Sequence, residues 1–265
     1  MTELLSDPFS LIIVAAGAFM AGVMNALAGG GTFFSFPALL AAGIPPVTAN
    51  ASNTVALWPA SLSSAWVYRK ELGKHRDWVI ALTLIATIGG IAGGLLLLAV
   101  SNAAFMKMVP WLLLLATALF AFSKQISKQV VHIKSRLGIH QTDDSPHSKG
   151  GLFFQFLVTV YGGFFGAGQG ILTLAALSIQ GIENIQELNA LKNWISAVTY
   201  TVSALTFIIA GAINWPYTIL MIATATLGGF TGAHIARYLP AVWLKRLVIA
   251  VGSLLTVIYF YKTGI

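Results

Sequence analysis

The sequence predicts an all-α polytopic membrane protein built from two inverted-topology repeats, each a glycine-broken helical hairpin followed by three transmembrane helices. Three observations predict it. Apolar residues make up 57% of the 265-residue chain and charged residues 9%, so too few polar groups remain to cover a water-facing surface. No charged side chain occurs between Asp7 and Arg69, between Lys149 and Glu183, or between Lys192 and Arg237, and each stretch far exceeds the roughly 20 residues that one membrane helix needs. Finally, sliding the chain by 139 residues superposes Gly29 on Gly168, Gly31 on Gly170, Asn50 on Asn189 and Ala51 on Ala190. The same ungapped offset pairs Gly89 and Gly90 with Gly228 and Gly229, Gly93 with Gly232, and Lys107 with Arg246, which points to an internal duplication.

Helices are predicted rather than a barrel because the runs are apolar throughout and lack period-two alternation. The amino terminus has Glu3 and Asp7 but no Lys or Arg before its apolar run, so it lacks the basic region of a cleavable signal and is expected to be retained. In order, the first repeat (1–122) reads as an apolar helix over 9–27, a glycine-rich break, a short apolar piece over 32–43, and spans over 50–68, 78–100 and 103–122. A polar linker (123–150) carries Lys124, Lys128, Lys134, Arg136 and Lys149. The second repeat (151–265) reads as a helix over 151–166, a break, a short piece over 171–181, and spans over 190–212, 215–237 and 243–261. The short pieces, at roughly 1.5 Å per residue, cannot cross a hydrocarbon core of about 30 Å. A partial-depth hairpin is therefore favoured in each half.

Orientation follows from charge. The linker and the loop containing Arg69, Lys70, Lys74 and Arg76 are basic, which marks them as cytoplasmic. The repeat equivalent of that loop, 210–216, has no charge, whereas the loop of Arg237, Lys245 and Arg246 is basic and its first-half counterpart holds only Lys107. The bias alternates, as it does when two copies insert with opposite orientation. Both termini are then expected on the periplasmic side of a bacterial inner membrane.

Several function classes lose support. The chain has no cysteine, which removes thiolate chemistry, disulfides and cysteine-ligated metals. Its linker histidines, His132, His140 and His147, are too dispersed for a metal motif. There is no G-x-x-x-x-G-K-[ST] and no H-E-x-x-H pattern, so neither a nucleotide-driven pump nor an enzyme is expected, and no cofactor. The net charge of +7 suits cytoplasmic loops beside anionic lipid rather than nucleic acid.

The candidate site starts at the breaks. Ala28-Gly29-Gly30-Gly31-Thr32-Phe33-Phe34-Ser35-Phe36-Pro37 and Gly166-Ala167-Gly168-Gln169-Gly170 interrupt apolar runs at matching places. Glycine frees the backbone from helical dihedrals, and non-helical backbone at membrane depth survives only against protein or a water-filled cavity. Paired broken segments in inverted repeats point to a transporter's midplane site; the alternative is close helix packing through small residues. A second matched pair, Asn50-Ala51-Ser52-Asn53-Thr54 and Asn189-Ala190-Leu191-Lys192-Asn193, follows each short piece. Asn50 and Asn189 read equally as helix caps, while Ser52, Asn53, Thr54, Lys192 and Asn193 fall inside a span, where buried polar groups tend to face a cavity. Lys192 either pairs with Glu183 or Glu187, or snorkels, or points inward. If it points inward, an ammonium and a helix N-terminus converge and favour a small anion. His234 reads as a packed or interfacial residue. Trp58-Pro59 should kink its span, and Trp66, Tyr68, Trp78, Trp215, Tyr217, Tyr238 and Trp243 read as interface anchors.

Gly29-Gly30-Gly31-Thr32 through Phe36-Pro37, followed by Gly43 and Asn50-Ala51-Ser52-Asn53-Thr54, resemble the sulfite exporter TauE/SafE family, also called the DUF81 group. The resemblance extends over nearly the whole chain, the second copy fitting more loosely. It implies a bacterial inner-membrane carrier that moves sulfite, sulfoacetate or a related organosulfur anion, often outward. Two departures make the half-sites unequal: Gln169 stands where the first copy has Gly30, and Lys192 where it has Asn53. The expectation is a secondary transporter working by alternating access, its site drawn from Gly29, Gly30, Gly31, Thr32, Asn50, Ser52, Asn53, Thr54, Gly168, Gln169, Gly170, Asn189, Lys192 and Asn193. Its partners would be a small anion, the bilayer and coupling protons, and a homo-oligomer stays open. A channel or importer for small carboxylates and a non-transporting membrane scaffold are the alternatives.

Overall fold

The computed structural model describes residues 7–27, 30–67, 69–72, 76–136, 149–180, 182, 184–235 and 241–264, and these form helices joined by short turns. In chain order they are α1 (Pro8–Leu27), α2 (Thr32–Ala41), α3 (Pro46–Val67), α4 (Arg69–Leu72), α5 (Arg76–Ala99), α6 (Asn102–Arg136), α7 (Lys149–Phe164), α8 (Gln169–Ile179), α9 (Ile185–Ile209), α10 (Trp215–Ile235) and α11 (Ala241–Thr263). Among the described residues, stretches within α1, α5, α6 and α11 are long and apolar enough to cross a membrane by length and composition. Asp7 caps α1, accepting from the Phe9 amide at 3.1 Å and the Ser10 hydroxyl at 2.6 Å; the Ser10 hydroxyl and the Phe9 amide hold its carboxyl below the usual range.

The short helices are as brief as the sequence predicts. α2 has 10 residues and α8 has 11, or roughly 15 and 17 Å at 1.5 Å per residue, against a core of about 30 Å. In the second half the chain returns beside its own start, because the Gln180 side chain donates to the Gly151 carbonyl. One boundary differs from expectation. The span placed at 103–122 continues as helix to Arg136, so half of the polar linker extends α6 beyond its apolar part. A helix propagates at little cost through Lys, Gln and Ser once nucleated, and its length then follows from the backbone rather than from hydropathy.

The halves pack by exchange. α1 lies against α10 and α5 against α7; α3 meets α10 and α9 meets α5; α2 touches α11 and α8 touches α6, while α3 faces α9 and α6 faces α11. The glycines shared at the 139-residue offset make the two largest of these seams possible. A Cβ on Gly89 or Gly93 of α5 would fall 2.1 Å from Thr159 Oγ1 or from the Val160 carbonyl of α7. On α10, Gly228 and Gly232 would meet the Phe19 carbonyl at 2.0 Å and Val23 Cα at 2.8 Å on α1. Small residues let backbones approach where lipid supplies no hydrophobic drive between helices.

The core around α2 is aromatic. Phe33, Phe36, Phe105 and Phe165 are buried, with edge-on contacts Phe33–Phe120, Phe36–Phe105, Phe36–Phe165 and Phe105–Phe164 at 5.5–6.3 Å between centroids. Such T-shaped pairs match the positive ring edge to the negative face, and they fix α2 against α6 and the end of α7. Not every aromatic near a span end is an anchor. Trp66 and Trp215 are exposed, but Trp78 and Tyr217 are buried: Trp78 packs with Leu82, Leu188 and Leu191, and Tyr217 belongs to the main core. Tyr68 and Tyr238, and the side chains of Trp243 and His234, lie outside the described residues. Pro59 lies inside α3, which runs unbroken from Pro46 to Val67.

Candidate functional site

Helix starts come first, because they decide what each break offers. α2 begins at Thr32 behind Gly31, and α8 begins at Gln169 behind Gly168; neither N-cap glycine provides a side-chain acceptor. Glycine is required on local grounds at Gly30 (φ +92°) and Gly168 (φ +77°), both in the left-handed region that side chains avoid. At Gly31 the reason is contact: a Cβ would sit 2.5 Å from the Ala21 carbonyl. The two short-helix starts are 137 residues apart, whereas α3 and α9 start 139 apart. By helix starts, Gln169 therefore corresponds to Thr32, not to Gly30 as the ungapped offset pairs them.

Both breaks border one cavity of about 140 Å³, enough for several waters or a small ion. Of the residues singled out in the sequence, Gly30, Gly31, Thr32, Gly168, Gln169, Gly170, Lys192 and Asn193 line it. Two uncapped helix N-termini thus open on the same space as an ammonium. Each terminus carries the partial positive charge of its helix dipole, although the Phe33, Phe34, Gln169 and Ile171 amides are already bonded to carbonyls of the breaks, so the field in the cavity favours a small anion over a cation.

The remaining predicted residues divide differently. Asn53 is 1% exposed and does not line the cavity. Its Oδ1 accepts from the Ser35 hydroxyl, and its Nδ2 reaches the Thr32 hydroxyl at 3.4 Å. Ser35 also spans back to the Gly31 carbonyl. Asn53 is a clasp that holds the first break in place. Asn50 is no cap, since α3 starts at Pro46 and puts it in the second turn; its amide donates to the Phe164 carbonyl at 2.9 Å, at the end of α7. Asn189 is no cap either: Asn184 caps α9 by accepting from the Gln186 amide, and Asn189 is half-buried outside the cavity lining. The Ser52 hydroxyl accepts from the Asn214 amide ahead of α10, and Thr54 bonds back to the Asn50 carbonyl. Gly29 lies outside the described residues.

Sequence reading missed part of the lining. Asn25 from the last turn of α1, Ser61 and Ser64 from α3, and Ser196 and Tyr200 from α9 also border the cavity. The α9 pair was within reach, because Lys192, Ser196 and Tyr200 recur every four residues and so share a helix face. Nothing local marks Ser61 and Ser64, whose hydroxyls are turned back on the Trp58 and Ala60 carbonyls. The Tyr161 hydroxyl, outside the lining, steadies the second break by donating to the Ala167 carbonyl at 2.7 Å. Gln169 is the most exacting member. It is 2% exposed, and neither atom of its amide has a hydrogen-bond partner.

Residues 14–259 match the family described as Sulfite exporter TauE/SafE. The chain belongs to that family. Its curated relatives include "Probable membrane transporter protein" of Haemophilus influenzae, 29% identical with 96% of each chain covered. "Probable membrane transporter protein YfcA" of Escherichia coli K12 is 23% identical over 97% of this chain and 92% of its own. "Probable membrane transporter protein ORF9" of Sinorhizobium is 25% identical, covering 97% and 94%. No solved structure gives a significant match. As a TauE/SafE member the chain is a multi-pass membrane transporter, and both of its short-helix starts border the cavity.

Proposed function

We propose that the protein is a secondary carrier that exports a small sulfur-containing anion, such as sulfite, sulfoacetate or a related organosulfur anion, by alternating access between two inverted halves. One observation carries the reading. The N-termini of α2 and α8, one from each half, meet Lys192 around a single polar cavity. Non-helical backbone lining a cavity at a repeat interface is how many carriers hold an anion. The exchange of contacts between the halves supports a pseudo-two-fold arrangement, and the charge bias of the loops supports opposite orientation, with the linker cytoplasmic and both termini periplasmic. Lys192 supplies the charge. Thr32, Gln169, Asn193, Tyr200 and the break amides supply directional hydrogen bonds, while Asn53 keeps the first break in shape. The substrate gradient or protons drive the cycle.

Counterflow in proteoliposomes tests this. Labelled sulfite should exchange against unlabelled sulfite or sulfoacetate and far less against lactate or acetate. Lys192→Ala should abolish exchange, whereas Lys262→Ala, which changes a lysine bordering a different pocket, should not. Absence of exchange with every anion tried would overturn the carrier reading; preference for lactate or acetate would move the substrate to carboxylates.

A further inference from the structure

The second hairpin contains more buried polarity than the site uses. Nine buried side-chain polar atoms lack a hydrogen-bond partner among the described residues, and six of them belong to Gln155, Gln169, Thr173 and Gln180, all on α7 or α8 or at the end of α8. The register of the two helices brings these residues into one line. Gly162 of α7 faces the Gln169 side chain, and Gly151 accepts from Gln180; both intervals are eleven residues, so the antiparallel pairing holds along the whole seam. Gln155 then stands opposite Ala176, within one turn of both Thr173 and Gln180. The line runs from Gln169 at the cavity to the end of the hairpin where α7 begins.

An amide or hydroxyl buried without a partner costs about 1–3 kcal/mol, and such groups in native proteins mark water or an ion that bridges them. Chance does not account for four in register. The first hairpin is the internal control: there Gly17 packs against Ala38 and the Phe34 backbone, an apolar seam, and its buried serine, Ser35, is paired with Asn53.

We propose that the α7–α8 seam is a hydrated path joining the cavity to the membrane face at which α7 begins, so that the site communicates with that face through the second hairpin and not the first. This rests on the cavity being the transport site. By the charge reading, that face is the one bearing the basic linker.

Water in place can be read directly, because X-ray-generated hydroxyl radicals label a side chain next to trapped water without any reagent having to enter. The chain has no cysteine of its own, so single-cysteine variants of the full-length protein in liposomes report one position each. Thr173→Cys should be oxidised at least tenfold faster than Ala38→Cys in the apolar seam; equal rates would overturn the proposal. Thr173→Val keeps the volume and guards against misfolding of the first variant. A hydrated seam predicts slower sulfite counterflow with no gain in thermal stability, whereas a higher melting temperature with unchanged counterflow means a dry seam and also overturns it. Radical labelling needs no substrate, so failure of the carrier reading and failure of the path give different results.

Discussion

Gly162 exists to make room for Gln169: a Cβ at position 162 would lie 2.3 Å from the Gln169 side-chain amide carbon. The amide is thereby held against α7 at the cavity edge, where side-chain flexibility alone would not keep it. Gly162→Ala should therefore push Gln169 out of place and cut sulfite counterflow at least tenfold while the protein still purifies as a folded species. Adding Gln169→Ala should relieve the clash and recover melting temperature without recovering transport. If the single variant transports normally, the position of Gln169 is irrelevant to the cycle.

The clasp of Asn53 with Ser35 and Thr32 makes a different prediction. Asn53→Ala removes one partner from each of two hydroxyls, of which Ser35 keeps the Gly31 carbonyl, at about 0.5–1.5 kcal/mol per hydrogen bond lost, and should lower the melting temperature clearly. Ser35→Ala on top of it should cost little more, because the partner is already lost. Full additivity in the double-mutant cycle would mean that the two groups do not interact.

Close packing of backbones can be separated from conformational freedom by comparing glycines. At Gly228 a Cβ would stand 2.0 Å from the Phe19 carbonyl, but at Gly94 it would meet ordinary contacts from 3.4 Å. Gly228→Ala should destabilise by several kcal/mol, since backbone cannot move aside as a side chain can, and Gly94→Ala should be nearly neutral or stabilising through helix propensity. Thermal unfolding in detergent distinguishes them.

Tyr200 stands beside the Thr32 hydroxyl on the cavity wall. Loss of one hydrogen bond to a bound anion is worth about 1.5–3 kcal/mol, so Tyr200→Phe should weaken binding of sulfite roughly ten- to 150-fold and leave the melting temperature nearly unchanged. An equal loss of stability would assign the phenol to packing. Lys192→Ala should cost more than Tyr200→Phe in the same assay, because it removes a charge.

Much of this protein was determined by its sequence alone. Solvent decides composition: a chain with so few charges is lipid-embedded, and with no period-two alternation it is helical, because the helix satisfies every backbone group within its own segment. The short broken helices, and the meeting of Gly30, Gly31, Thr32, Gln169 and Lys192 around one cavity, were foreshadowed for the same reason, since glycine and charge are costly at membrane depth and stand out. Tertiary structure decided what those residues face. Asn53 and Lys192 stand 139 residues apart, each in the eighth position of its helix, yet one clasps a neighbouring helix and the other lines the cavity. The role of each polar group depends on which helix arrives opposite it, and those partners lie far away along the chain: Asn50 meets Phe164, Ser52 meets Asn214 and Trp58 meets Thr201. No local pattern encodes such meetings; they follow from how the two halves interlock.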